Sequence, residues 1–127
     1  MSRAAAIGLL AVTLAACAGG GSKEPPLNVP PTSYKSDITS AMTRNLPDPT
    51  NIREAAVTEP MREGDGPYYV CLRYNAREMG IYVGRKEQTV YFFEGRINQI
   101  VDATPQCAKA AYKPFPELEK LCQADKC

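Results

Sequence analysis

The chain has 127 residues, with 15 basic and 14 acidic side chains and no histidine, so its formal net charge is +1. Its lysines and arginines are scattered among acidic residues, and this pattern does not predict a nucleic-acid partner. Without histidine the chain lacks the usual zinc-ligand pairs and the usual activator of a nucleophilic thiol. We therefore expect no metal site and no cofactor.

The first residues have the features of an export signal. Arg3 precedes an apolar run that is shorter than the roughly 20 residues a membrane-spanning helix needs, and small residues follow this run. Leu14-Ala15-Ala16-Cys17 resembles a bacterial lipobox, in which the chain is cut before the cysteine and the cysteine is acylated. This pattern predicts a lipoprotein signal peptide at residues 1–16 and lipid attachment at Cys17. The alternative is an ordinary cleaved signal peptide with an unmodified Cys17.

Residues 17–32 are rich in glycine and proline, a composition that cannot build a hydrophobic core. We interpret them as a flexible tether that joins the membrane anchor to one small domain at residues 33–127. The residue after the lipobox is Ala18, as in lipoproteins that are passed to the outer membrane. The sequence thus predicts a protein of the cell envelope, anchored by lipid in the outer membrane and facing the periplasm.

The domain pattern predicts an α+β fold. A helix is expected over residues 34–46, capped by Ser33 or Ser36, because apolar residues recur there at helical spacing. These are Ile38, Ala41, Met42 and Leu46. After an extended segment at residues 52–58, period-two alternation predicts strands at residues 68–76, 88–93 and 96–102. We expect this N-terminal helix to pack on an antiparallel sheet of three to four strands.

The turn between the last two predicted strands sets their register. With Glu94 and Gly95 as a two-residue turn, Phe92 pairs with Ile97 and Val90 pairs with Gln99. One face then carries Val90, Phe92, Ile97 and Val101, and the other carries Tyr91, Phe93 and Ile100. Since both faces are apolar, each needs a cover. We expect the helix to cover the first face and the C-terminal segment to cover the second, through Tyr112, Phe115, Leu118 and Leu121.

Four cysteines follow the lipobox: Cys71, Cys107, Cys122 and Cys127. An even number in a small exported domain predicts two disulfides, for which three pairings are possible. We expect a bond from Cys71 to one of the three C-terminal cysteines, which would hold the C-terminal segment on the sheet. The alternative places both bonds within that segment or leaves Cys71 free.

Three short stretches resemble a pattern found in small exported bacterial proteins. The pattern is Leu-x-Asp-Pro, then Val-Cys-x-x-x-Asn-Ala-x-Asn, then Gly-x-Tyr-x-Gly, and its parts fall here at residues 46–49, 70–78 and 80–84. This chain departs from the pattern at the second asparagine. The tail at residues 114–122 resembles that of small alphaproteobacterial lipoproteins. Neither resemblance implies an activity.

The polar residues do not predict an enzyme, because no pair of carboxylates is placed as glycoside hydrolysis requires. We expect a non-catalytic interaction or structural module that binds an envelope protein or peptidoglycan. The alternative is an inhibitor of a hydrolase such as a lysozyme, acting through an exposed loop at residues 75–84. The candidate binding residues in this loop are Asn75, Arg77, Met79 and Tyr82.

Overall fold

The computed structural model describes residues 29–122, so the predicted signal peptide, Cys17 and Cys127 lie outside the described residues. The helices are α1 (Tyr34–Asn45) and α2 (Pro116–Glu119), with a 3-10 turn at Pro105–Cys107. The strands are β1 (Arg53–Val57), β2 (Met61–Arg62), β3 (Tyr68–Glu78), β4 (Ile81–Phe93), β5 (Arg96–Asp102) and β6 (Lys113–Pro114).

The six strands form one antiparallel sheet in the order β5-β4-β3-β1-β6, and the short β2 also pairs with β3. The expectation of three to four strands was too low. The extended segment after α1 is a full strand, and β2 and β6 have only two residues each, too few to show a period. A helix on an antiparallel sheet is therefore only a partial description, because most of the domain is sheet.

Helix α1 agrees with the predicted helix to within one residue at its C-terminal end. Ser33 stands at its N-cap but makes no side-chain capping bond, and Leu46 caps the other end by donating its N–H to the Met42 carbonyl oxygen at 3.0 Å. Ile38 and Met42 are fully buried against the sheet. The apolar stripe thus forms one side of the main core.

The main core lies between α1 and one face of the sheet. Val70, Leu72 and Phe92 supply the sheet side, and Phe92 lies on the face that was predicted for it. Phe115 and Leu118 are also completely buried in this core, so the prediction that they cover the opposite face was wrong. The reason is the edge strand β6: it pairs with β1, and the Phe115 N–H donates to the Ala55 carbonyl oxygen at 2.9 Å, which carries the chain onto the α1 side.

A smaller cluster covers the other face of the sheet, centred on a disulfide between Cys71 and Cys107. Tyr69, Tyr91 and Tyr112 pack around it. This bond confirms that Cys71 ties the C-terminal segment to the sheet. Cys122 is also disulfide-bonded.

The register of β4 and β5 agrees with the prediction at one end only. Phe92 pairs with Ile97 as expected, but Val90 pairs with Ile100, not with Gln99. A bulge between the Tyr91 and Phe92 pairs inserts Asn98 as an extra residue. An extra residue reverses the faces beyond it, so Ile100 packs against the main core and the assignment of Val101 to that face was wrong.

The expected loop at residues 75–84 is not a loop. β3 and β4 continue into a two-residue turn at Met79 and Gly80. β5 pairs with β4 only from Gln88 onward, and β1 reaches β3 only as far as Asn75. The β3–β4 hairpin therefore extends beyond its neighbours over residues 76–85, which we call the hairpin end.

Candidate binding surface at the hairpin end

The turn of the hairpin end holds a methionine in an unusual conformation. Met79 has φ = 52° and Gly80 has φ = 79°. Positive φ at both central residues is the requirement of a type I′ turn, in which Asn-Gly is the preferred pair. The Met79 side chain is also 98% exposed. A long apolar side chain thus lies fully in solvent at a position that favours asparagine.

Two further apolar side chains are exposed close to this turn. Ile81 is 70% exposed and Val83 is 56% exposed, and both belong to the part of β4 that β5 does not reach. Among the residues that the structure describes, three of the five exposed large hydrophobic side chains lie at the hairpin end. We call Met79, Ile81 and Val83 the apolar tip.

The base of the hairpin end is attached to the connection between α1 and β1. The Tyr82 hydroxyl donates to the Asn51 carbonyl oxygen at 2.6 Å, and the Arg53 guanidinium lies over the Tyr82 ring at 4.1 Å. Arg77 donates to the Thr50 hydroxyl oxygen at 2.5 Å, and its Nε lies 3.4 Å from Asp48 Oδ2. These contacts fix the orientation of the hairpin end.

Asp48 organises this attachment. Its Oδ1 accepts hydrogen bonds from the Thr50 hydroxyl and, at 2.9 Å, from the Thr50 N–H. These hydrogen bonds, together with the Arg77 charge, lower the pKa of Asp48. Through Asp48 and Arg77, the Leu-x-Asp-Pro stretch at residues 46–49 and the Val-Cys-x-x-x-Asn-Ala-x-Asn stretch at residues 70–78 therefore meet in space.

The four candidate binding residues have different surroundings. Arg77 and Tyr82 make the internal contacts just described, and Asn75 accepts the Gly84 N–H at 3.1 Å where the two strands shift register. Only Met79 extends fully into solvent. The structure therefore brings the four to one region but gives three of them supporting contacts.

A groove lies between the C-terminal end of α1 and the hairpin end. It encloses about 390 Å³ and is lined by Met42 and Leu46 on one side and by Tyr74 and Val83 on the other. The Tyr74 hydroxyl donates to Gln88 Oε1 at 2.8 Å, and burial raises the pKa of Tyr74 to about 12. The groove thus has an apolar floor next to the apolar tip.

Strand pairing also brings together arginines that lie apart in the sequence. Arg53 and Arg85 both pair with Asn75, from opposite sides, and Arg73 lies in the next row beside Glu87. We call this surface, on the sheet side that carries the disulfide, the arginine face. This face was not predicted from the sequence. The available signal was the even spacing of Arg73 and Arg77 on β3, which places both residues on one side of a strand.

Residues 29–122 contain no group of three or more cysteine or carboxylate side chains that could hold a metal ion. No helix in this range is long and apolar enough to cross a membrane. The chain has no significant match to a protein-family model, to a curated protein or to a solved structure. The resemblance to small exported proteins stays a prediction, and function must be argued from the chain itself.

Proposed function

We propose that the protein is a lipid-anchored protein of the cell envelope whose domain is a non-catalytic binding module, with the hairpin end as its contact surface. The lipobox at residues 14–17 supports the anchor. The apolar tip is the main support for assigning the contact surface to the hairpin end, because Met79 is exposed at a position where a polar residue would be more stable.

The surroundings of the apolar tip suit a protein interface. Interfaces commonly have an apolar centre inside a polar rim, and here Glu78 pairs with Ile81 next to the turn, while Arg85 and Lys86 follow Val83 and Gly84 along β4. The Tyr82 and Arg77 contacts fix the hairpin before any partner arrives, which reduces the ordering cost of binding. We therefore favour an envelope protein as the partner at this tip.

The second candidate is inhibition of a hydrolase such as a lysozyme. It is favoured by the shape of the hairpin end, which extends beyond β1 and β5 and carries its most exposed side chain at the turn. A narrow, fixed hairpin of this kind fits the entrance of an active-site cleft. The two candidates differ in the protein that touches Met79.

A photoreactive residue at position 79, in the full-length chain in cells, tests both candidates. The matched control is position 94, because Glu94 and Gly95 form a second turn with φ = 51° and 77°. We expect a crosslinked product from position 79 that position 94 does not give. An envelope protein in this product supports the first candidate, and a hydrolase supports the second. Identical products from both positions would overturn the assignment of the hairpin end.

The anchor has an independent test in Cys17→Ser. We expect this variant to move from the membrane fraction to the soluble periplasmic fraction, because it has no thiol to acylate. Several acyl chains hold a protein far more firmly than one, so wild-type protein should resist extraction by high salt. Membrane retention of the variant at the wild-type level would contradict the lipid anchor.

A further inference from the structure

A second cavity opens on the arginine face, away from the hairpin groove. It encloses about 330 Å³, and Arg73, Arg85 and Tyr112 contribute to its lining, together with Glu54 and Lys113. β3 and β4 supply the two arginines, and the segment tied down by Cys107 supplies Tyr112. The cavity therefore depends on the disulfide for its shape.

The Tyr112 side chain lines this cavity, and its hydroxyl oxygen is buried without a hydrogen-bond partner among residues 29–122. Burial raises the pKa of Tyr112, with a smaller contribution from Glu87, so the hydroxyl keeps its proton and remains a donor. Buried polar groups in folded proteins nearly always have a partner. A hydrogen-bond acceptor on a ligand in the cavity would be such a partner for the Tyr112 hydroxyl.

The cations of the cavity are incompletely neutralised. The half-buried Arg73 lies 4.3 Å from the centre of the Tyr112 ring and, within the described range, has no carboxylate at ion-pair distance. Among the described residues, the one carboxylate at ion-pair distance from Arg85 is that of the exposed Glu87, at 3.8 Å. Lys113 is occupied by Glu59 at 3.0 Å. Within residues 29–122, a guanidinium without a carboxylate partner and a hydroxyl without a hydrogen-bond partner therefore belong to one cavity.

We propose that this cavity binds a carboxylate group of a peptide ligand. The planar guanidinium of Arg73 can donate two parallel hydrogen bonds to a carboxylate, Arg85 adds charge, and Tyr112 offers a third donor. Glu54 lines the cavity and Glu87 lies beside Arg85, so both reduce the positive charge, which suits a singly charged carboxylate better than a doubly charged phosphate. In the compartment that our proposed function assigns, the stem peptides of peptidoglycan carry such carboxylates.

Calorimetric titration of the full lipidated chain in detergent micelles tests this site with three probes. They are a soluble disaccharide-tetrapeptide from peptidoglycan, the same fragment with its carboxyl groups amidated, and inorganic phosphate. We expect binding of the first probe and at least tenfold weaker binding of the other two. Equal binding of the amidated fragment, preferred binding of phosphate, or no binding of the unmodified fragment would overturn the proposal.

Single-residue variants then test which side chains of the cavity bind the ligand. Arg73→Gln should abolish binding, and Tyr112→Phe should weaken it about tenfold, as expected for one hydrogen bond to a charged group. The matched control, Arg96→Gln, changes an exposed arginine on β5 and should bind normally. Tyr112→Phe removes an unpaired buried hydroxyl, so its thermal midpoint should equal or exceed that of the wild type.

Unchanged affinity in both site variants would overturn the assignment. A negative titration leaves the crosslink from position 79 unaffected, so failure of this site and failure of the hairpin assignment are distinguishable.

Discussion

Met79 combines full exposure with a left-handed backbone conformation, and both are unfavourable for its side chain. We predict that Met79→Asn raises the free energy of unfolding by about 0.5–1 kcal/mol, because asparagine tolerates positive φ better. The same variant should lose the partner contact. Urea unfolding and capture of the partner, measured on one preparation, report the two effects.

Glu94→Asn supplies the comparison for this prediction, since Glu94 has nearly the same φ. It should show a similar gain in stability with partner capture unchanged. If Met79→Asn lowered stability, or left capture at the wild-type level, Met79 would be an ordinary turn residue and not a contact residue.

Tyr74 makes stability depend on pH in the alkaline range. Burial raises its pKa to about 12, above the value of about 10 in an unfolded chain. The folded state therefore retains a proton that the unfolded state releases, so this contribution is complete below pH 10 and is lost as pH rises toward 12. The difference corresponds to about 3 kcal/mol.

Unfolding free energies measured by urea titration from pH 9 to 11.5 test this dependence, with Tyr74→Phe as the comparison. The wild type should lose stability more steeply than the variant, which has no proton at this position to release. Parallel curves for the two proteins would show that Tyr74 ionises as freely in the folded state as in the unfolded chain.

At the level of the β3–β4 hairpin, the Tyr82 hydroxyl connects one element to another. We predict that Tyr82→Phe lowers stability by about 1 kcal/mol, through loss of its bond to the Asn51 carbonyl oxygen. Hydrogen exchange should accelerate mainly in residues 76–85. Tyr68→Phe is the control, because within residues 29–122 the Tyr68 hydroxyl forms no hydrogen bond. Equal acceleration in both variants would contradict a specific role for Tyr82.

The periodic elements were the predictable ones. The helical spacing of Ile38 and Met42 identified α1, and alternation identified the central parts of β3, β4 and β5. The extra residue Asn98 reversed the two faces of β5 for the residues that follow it. This was not predicted, because a bulge has no periodic signal of its own. The crossing of the tail from Tyr112 to Phe115 was missed for a related reason, because pairing at the sheet edge decides it.

The candidate sites divide in the same way. Exposure around Met79 was expected from the polar and glycine-containing sequence near it, although a tight turn replaces the expected loop. The cavity with Arg73, Arg85 and Tyr112 combines residues from the two strands of the β3–β4 hairpin with one from the C-terminal segment. Its formation depends on strand register and on the choice of Cys107 as the partner of Cys71, neither of which the chain order alone decides.

For the molecule as a whole, the Cys71–Cys107 disulfide closes a loop that contains β4 and β5. With a sequence separation of 36 residues, the loop-entropy relation gives a contribution of about 4 kcal/mol to stability. We predict that the Cys71→Ala, Cys107→Ala double variant loses roughly this amount in urea unfolding. A loss below about 1 kcal/mol would show that the small cluster around Tyr69 and Tyr91 holds the segment without the bond.

The same disulfide has a consequence for the timing of folding. In a reducing cytoplasm the Cys71–Cys107 bond does not persist, so a newly made chain lacks this stabilisation of a small domain. If the chain is exported as we propose, it reaches the secretion machinery in its least stable form. Oxidation after export then stabilises the fold in the compartment where the lipid holds it.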